Sequence, residues 1–330
     1  MTSKELHTSA IIIDGLIVSN WSRSVFEDMK KGGITAANCT CSVWEGFESS
    51  MQNLAQWKGW FRDHDDILLQ VHQSKDISRA KTENKVGIIL GWQNTSGIED
   101  RIDYLSLFRD LGVRVMQLTY NTQNFVGSGC YESKDSGLSD FGRDVIDEMN
   151  RLGILVDLSH VGSKTSYDAI CYSKRPVAYT HCCPSALKDI PRNKSDEELR
   201  FIADHDGFAG VATIAPFLRP NQAATIEDFL EAIEHMINVM GEEKVGIGTD
   251  FIQDQPDTFM EWICRDKGDG RLLVDLGMPS TNRITVSGFD TIGQYPSLTA
   301  AMEGRKWTET RIRRILGENW LTFLETVWGL

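Results

Sequence analysis

Residues 153–160 read GILVDLSH, residues 176–181 read PVAYTH, and residues 245–250 read VGIGTD. Each is an apolar run that finishes on a side chain able to do chemistry: His160, His181 or Asp250. Neutral imidazole nitrogens bind zinc and related divalent ions, and a carboxylate can ligate such an ion or take a proton from water. One histidine at a strand end more often hydrogen-bonds a loop carbonyl. Two neighbouring runs ending the same way make the metal reading as strong as the structural one. Other runs end at Gln93-Asn94 and Tyr120-Asn121. Arg192, in IPRNKSDEE, suits a substrate carboxylate through its bidentate fork, or else caps a loop. Cys182-Cys183 beside His181 admits a thiolate nucleophile, but buried structural thiols are the commoner case. Glu45, past the second run, either faces a site or solvates a loop. His7, His64, His72, His205 and His235 lie in polar or helical stretches and read as surface residues.

The elements that must position these groups are short apolar runs alternating with helical patterns. The runs are 10–18, 34–43, 86–93, 113–121, 154–160, 177–181, 207–214 and 245–251. They are bulky, β-branched and hardly alternate, as strands buried on both faces do. Between them, 23–31, 101–111, 138–152, 165–172 and 226–240 carry apolar residues at helical spacing, and Gly32-Gly33 and Gly112 sit where helices should stop. Eight βα units in about 250 residues match a (β/α)8 TIM barrel. An open doubly wound sheet is the alternative, but no GxGxxG or GxxxxGK[ST] follows the first strand. The expectation is one domain over 1–330, with the barrel at about 8–255 and extra helices at about 290–330 packing on the outside. The stretches 127–137 and 253–288 are long for plain connections and read as lids over a site.

Net charge is −13, from 34 basic and 47 acidic residues, with no basic stripe for nucleic acid. Seven cysteines, an odd number without a CxxC pair, suggest free thiols in a reducing compartment. The start has no basic region before its short apolar run, so it reads as neither a signal peptide nor a membrane span. The expectation is a cytoplasmic protein that meets a small-molecule substrate and no membrane. Barrels of this kind commonly form homodimers, though no patch in the sequence specifies one.

Beyond these readings, MNRLGILVDLSHVG, PVAYTHCCPSALKDIPRNKSDEEL and KVGIGTDF together resemble the membrane (renal) dipeptidase family of metallopeptidases. MQLTYNTQNFVGSGCYESKDSGLSDFGRDVIDEMNRLG and the closing YPSLTAAMEGRKWTETRIRRILGENWLTFLE are similar to that family as well. The resemblance implies a barrel of the metallo-dependent hydrolase type and a two-zinc site that cleaves dipeptides. One zinc would be held by a His-x-Asp at the end of the first strand, and a glutamate after the third would bridge both ions. The two histidines of the second zinc match His160 and His181. The aspartate near the water matches Asp250, and the arginine for the substrate carboxylate matches Arg192.

The departures fall on one half of that site. The first-strand motif, usually DGHND, is here Asp14-Gly15-Leu16-Ile17-Val18. The bridging glutamate is replaced by Gln93, and a substrate-contacting histidine by Tyr120. Leucine and valine donate nothing to a metal, and glutamine brings no charge to offset two adjacent dications. The expectation is therefore at most one divalent ion, zinc by its donors, on His160 and His181, with Gln93 or Asp250 and water completing the shell. Asp250 is expected as catalytic base, with Arg192 and Tyr120 binding substrate. The leading activity is hydrolysis of a dipeptide or similar small carboxylate-bearing amide. A metal-poor hydrolase, lyase or isomerase on an amino-acid derivative, or a non-catalytic binding relative, stays open.

Overall fold

The computed structural model describes residues 2–274 and 284–329. Its nine strands are β1 Ile13–Ile17, β2 Ala36–Ser42, β3 Leu68–Gln70, β4 Val86–Trp92, β5 Val113–Gln117, β6 Leu155–Asp157, β7 Ala178–Cys182, β8 Phe208–Val211 and β9 Val245–Ile247. Every pairing between them is parallel. Eight strands close in the order β1, β2, β4, β5, β6, β7, β8, β9 and back to β1. This is the expected (β/α)8 barrel. The ninth strand, β3, was not expected. A strand has two hydrogen-bonding edges, and β2 occupies one edge of β4. On the other, β3 pairs with Val86–Ile88 and β5 with Leu90–Trp92, so the two share that edge end to end. With a three-residue ladder, β3 gives too short a run for its period to stand out.

Two expected helices, Arg23–Lys31 and Ile226–Met240, have the anticipated bounds, and three others differ by two or three residues at one end. The helix Asp140–Leu152 matters most for the site. Ser139 Oγ caps its start by accepting from Gly142 N at 2.9 Å. Gly153, in the left-handed region at φ 65°, ends it and turns the chain at once into β6. Helices at Phe47–Asp63, Ser74–Thr82 and Asp196–Asp204 were not anticipated. Part of the expected lid at 253–288 is also helical, over Asp257–Ile263, while 275–283 lie outside the described residues.

The C-terminal helices correct the expectation of an outer layer. Trp320, Phe323, Leu324, Val327 and Trp328, from the helix Asn319–Trp328, share one buried cluster with Ile13, Ala36, Ile89, Val115, Leu155, Ala178 and Phe208. Those partners come from the starts or middles of seven barrel strands, so this helix closes the barrel floor. Trp320 Nε1 donates to Ile247 O at 2.8 Å. A Cβ on Gly15 would lie 2.6 Å from the Trp320 ring, so only glycine leaves room for it. His7 also departs from its surface reading. It is 7% exposed, with ring nitrogens 2.7 Å from Thr299 Oγ1 and 3.0 Å from Gly32 O. All seven cysteines are free, and Cys182 and Cys183 are fully buried. Among the described residues no helix is long and apolar enough to cross a membrane.

Candidate active site

The residues expected to do chemistry sit at the C-terminal mouth of the barrel, opposite the floor. His160 follows β6 and His181 lies in β7, with their Nε2 atoms 3.0 Å apart. His160 Nδ1 is 2.7 Å from Asn121 Oδ1, an oxygen that also takes the Cys130 thiol proton. An amide oxygen only accepts, so this contact fixes the His160 proton on Nδ1. His181 Nδ1 is 2.8 Å from Thr180 Oγ1, whose own proton goes to Asp157 Oδ2 at 2.6 Å. The hydroxyl must therefore accept from His181, which places that proton on Nδ1 too. Burial, then the Arg192 charge, pushes both imidazoles well below their ordinary pKa; Lys194 acts in the same direction. Both rings are neutral, and their Nε2 lone pairs face each other with no donor between.

That arrangement suits a shared electrophile. Two nitrogens each about 2.0–2.1 Å from a tetrahedral zinc lie about 3.3 Å apart, near the 3.0 Å seen here. The hydrogen bonds on Nδ1 are the outer partners that orient metal-binding imidazoles. A second ion has no such support. Leu16 and Val18 are buried and apolar. Gln93 is 1% exposed, its Nε2 donates to Thr40 Oγ1 at 3.0 Å, and it does not line the cavity that contains His160. Among the described residues no three His, Cys, Asp or Glu side chains gather into a metal-binding group. The residues present fit one ion on two histidines and do not fit two ions.

Tyr120, His160, Arg192 and Asp250 line one cavity of about 60 Å³. Tyr120 stacks on His160, with centroids 4.1 Å apart and planes 25° from parallel, and Trp44 meets Tyr120 edge-on at 5.0 Å. Tyr131, from the expected lid at 127–137, also lines it. That loop is pinned by Cys130 N to His160 O and Tyr131 N to Asn121 O, both 2.9 Å. Helix Asp257–Ile263 adds Phe259, Met260 and Ile263.

Arg192 is 1% exposed. Its NH1 donates to Ser159 O and its NH2 to His181 O, each at 2.7 Å, while its buried Nε–H has no acceptor. The strand ends that carry the histidines thus also aim the guanidinium. No carboxylate pairs with it among the described residues, so this buried cation favours an incoming anion. Asp250 stands in the left-handed region at φ 59°. Burial raises its pKa to about 7; nearby Arg192 lowers it, and the charges of Asp14 and Asp157 raise it. A partly buried carboxylate with that pKa is suited to exchange protons near neutrality.

Asp157 and Asp14 hold these strand ends in shape. Asp157 accepts from Ser159 N, Ser159 Oγ, Thr180 N and Thr180 Oγ1 at 3.0, 2.6, 3.0 and 2.6 Å. Asp14 accepts from Leu16 N, Thr249 N, Thr249 Oγ1 and Tyr295 OH at 3.1, 2.9, 2.6 and 2.8 Å. Desolvation dominates both: it raises Asp14 to about 6 and moves Asp157 in the same direction, against those hydrogen bonds. Reading the sequence missed Asn121, Thr180 and Asp157 as supports. The available signal was an Asp two residues before a polar strand end, with Thr preceding the functional residue on a neighbouring strand.

Comparison with known proteins identifies the family of the chain. A family model described as membrane dipeptidase, peptidase family M19, matches residues 19–264. The dipeptidase tcpJ of Claviceps purpurea is 29% identical over 268 residues, which cover 80% of this chain and 56% of that protein. An uncharacterized dipeptidase of Schizosaccharomyces pombe, C3A11.10c, is 30% identical over 251 residues, 75% of this chain and 54% of that one. The chain spans about half the length of the curated relatives it matches. Among solved structures, an amidohydrolase from Pseudomonas aeruginosa is 50% identical with TM-score 0.97 over 100% of both chains. A metallopeptidase from Rhodobacter sphaeroides, liganded with a phosphinate mimic of the dipeptide L-Ala-D-Ala, shares the fold at 20% identity and TM-score 0.81, covering 97% of this chain and 100% of that one.

Proposed function

From the premise that this chain belongs to the membrane dipeptidase family, we propose that it hydrolyses the amide bond of a dipeptide or similar small carboxylate-bearing amide with one divalent ion at most. The observation that carries the reading is the facing pair of Nε2 lone pairs on His160 and His181, 3.0 Å apart, beside the unpaired Arg192 guanidinium. His160 and His181 would hold the ion, zinc by its donors. When bound, it supplies Lewis acidity at the scissile carbonyl.

The remaining work falls to the chain's own side chains. Arg192 receives the substrate carboxylate, which offsets the buried positive charge and fixes which amide lies over the histidines. Tyr120 shapes the wall beside it. Asp250 takes a proton from water as the water oxygen bonds to the amide carbon. The C–N bond then breaks, and the proton passes to the departing amine nitrogen. An Asp250 pKa of about 7 balances the base form needed at the start against the acid form needed at the end. Gln93 Nε2 donates to Thr40 at the mouth of β4.

The test is elemental analysis of protein expressed with zinc or manganese and purified without chelator, followed by assay on a dipeptide panel. The expected result is near one ion per chain, lost in the double variant His160→Ala, His181→Ala, together with release of free amino acids by the wild type. Two ions per chain would overturn the reading of Leu16, Val18 and Gln93. No cleavage across the panel would overturn the hydrolase reading, and no ion under any condition would overturn the metal role of His160 and His181.

A further inference from the structure

A second, larger cavity of about 320 Å³ opens at the same end of the barrel, over β1 and β2. Val18 and Phe259 line both cavities, so the two spaces are neighbours. Val18 is the residue for which the family resemblance implies a metal-binding aspartate. On the far side of Val18 the wall turns aromatic. Trp21 and Trp57 pack with centroids 5.1 Å apart, and Trp57 meets Trp60 edge-on at 4.8 Å. Trp262 closes the opposite side from helix Asp257–Ile263, against Phe259 at 5.8 Å.

One carboxylate lies among these rings. Glu45 Oε2 accepts from Val43 N at 2.6 Å, and Oε1 from Asn53 Nδ2 at 3.3 Å. These neutral donors hold the side chain in place but leave its charge unmatched. Among the described residues no Lys, Arg or His forms an ion pair with it. Gln56 and Gln255 add further polar groups to the lining. A fixed anion among indole faces attracts an organic cation through its charge and through the ring quadrupoles.

We propose that this cavity binds the side-chain ammonium of the ligand's amino-terminal residue, while Arg192 takes the carboxylate at the other end. The assignment rests on the reading of Arg192 given above. It makes the preferred substrate a small amide with a basic amino-terminal residue. The half of the mouth that has lost its metal ligands offers Glu45 and tryptophan faces to a cation carried by the substrate.

Two measurements on the full chain separate this assignment from the hydrolase reading. In the first, n-butylammonium and the uncharged n-butanol are titrated by calorimetry into wild type, Glu45→Gln and Trp262→Leu. The expected result is saturable binding of butylammonium, about tenfold tighter than butanol. Glu45→Gln should remove most of that preference and leave butanol within about twofold; Trp262→Leu should weaken both ligands. Equal binding of the two by the wild type, or a preference unchanged by Glu45→Gln, would overturn the proposal. In the second, lysyl-alanine is compared with norleucyl-alanine, and a kcat/KM ratio of about ten in favour of the lysyl compound is expected. Butylammonium binding without cleavage of either dipeptide would support the cavity and overturn the hydrolase reading. Equal cleavage of both, without competition by butylammonium, would do the reverse.

Discussion

Two places in the barrel mouth are built alike and end differently. At the end of β6, Asp157 takes four hydrogen bonds from Ser159 and Thr180. Within β1, Asp14 takes four from Leu16, Thr249 and Tyr295. In each, a buried Asp grips the amide two residues on and both the amide and hydroxyl of a Thr on the adjoining segment. Beyond the first clasp lie His160 and His181. Beyond the second lie Leu16, Val18 and Asp250. The backbone at both places is therefore held by carboxylate contacts to amides and hydroxyls. Leu16 and Val18 can therefore stand at the mouth without loosening the clasp beside them, because Asp14 grips Leu16 through its backbone amide alone.

Breaking the clasps should give the largest effects. Asp157→Ala leaves buried amide and hydroxyl donors without acceptors and should cost about 3–5 kcal/mol in urea unfolding. It should also weaken zinc binding by about 10–100-fold, since Thr180 no longer orients His181. Asp14→Ala should cost about as much stability while zinc affinity stays within about threefold. Equal losses of zinc affinity would end the distinction between the two halves.

Asp250→Asn comes next, with kcat lower by about 10²–10⁴-fold. Its stability should move the other way. The pKa of Asp250 is raised to about 7, so the native chain keeps a proton that the unfolded chain releases from about pH 4 upward. Wild-type stability therefore falls as pH rises through that window. The variant should be more stable at neutral pH by on the order of 2 kcal/mol, and the gap should close towards pH 4. The same pKa predicts that wild-type kcat/KM rises with pH through about 7, because the base must be ionised.

Restoring the lost half sharpens the comparison further. The triple variant Leu16→His, Val18→Asp, Gln93→Glu should raise the elemental count from one ion to two. Without metal it should be less stable by about 2–4 kcal/mol, from the unpaired buried carboxylates. The smallest effect belongs to Tyr120→Phe, which keeps the stack on His160 and loses one hydroxyl. KM should rise about threefold with kcat unchanged.

Much of this was legible in the sequence because it is written in local pattern. The eight barrel strands announce themselves as apolar runs, and His160, His181 and Asp250 stand where those runs stop. What escaped notice depends on contacts between distant segments. Asn121 becomes the partner of His160 only once the chain folds Cys130 and Tyr131 back across it. Gln93 stands at its expected position after β4, but the contact of its Nε2 with Thr40 on β2 depends on strand pairing. His7 sits in a polar-looking helix, and only Thr299 and Gly32 bury it. The aromatic cavity draws its walls from four separate stretches, none of which has a motif of its own.

The floor of the barrel bears on how the chain reaches this state. Trp320 and Gly15, which meet at the floor, are 305 positions apart (320 minus 15). The five large apolar side chains under the lumen contribute on the order of 10 kcal/mol, at about 1.5–3 kcal/mol each, which rivals the typical net stability of a whole domain, about 5–15 kcal/mol. Such separation in sequence makes floor closure a slow, late event, since the loop must close before the contacts reward it. Until then the strands have an open apolar underside. In refolding from urea, a collapsed species that binds hydrophobic dye should precede the native chain and vanish as Trp320 becomes buried.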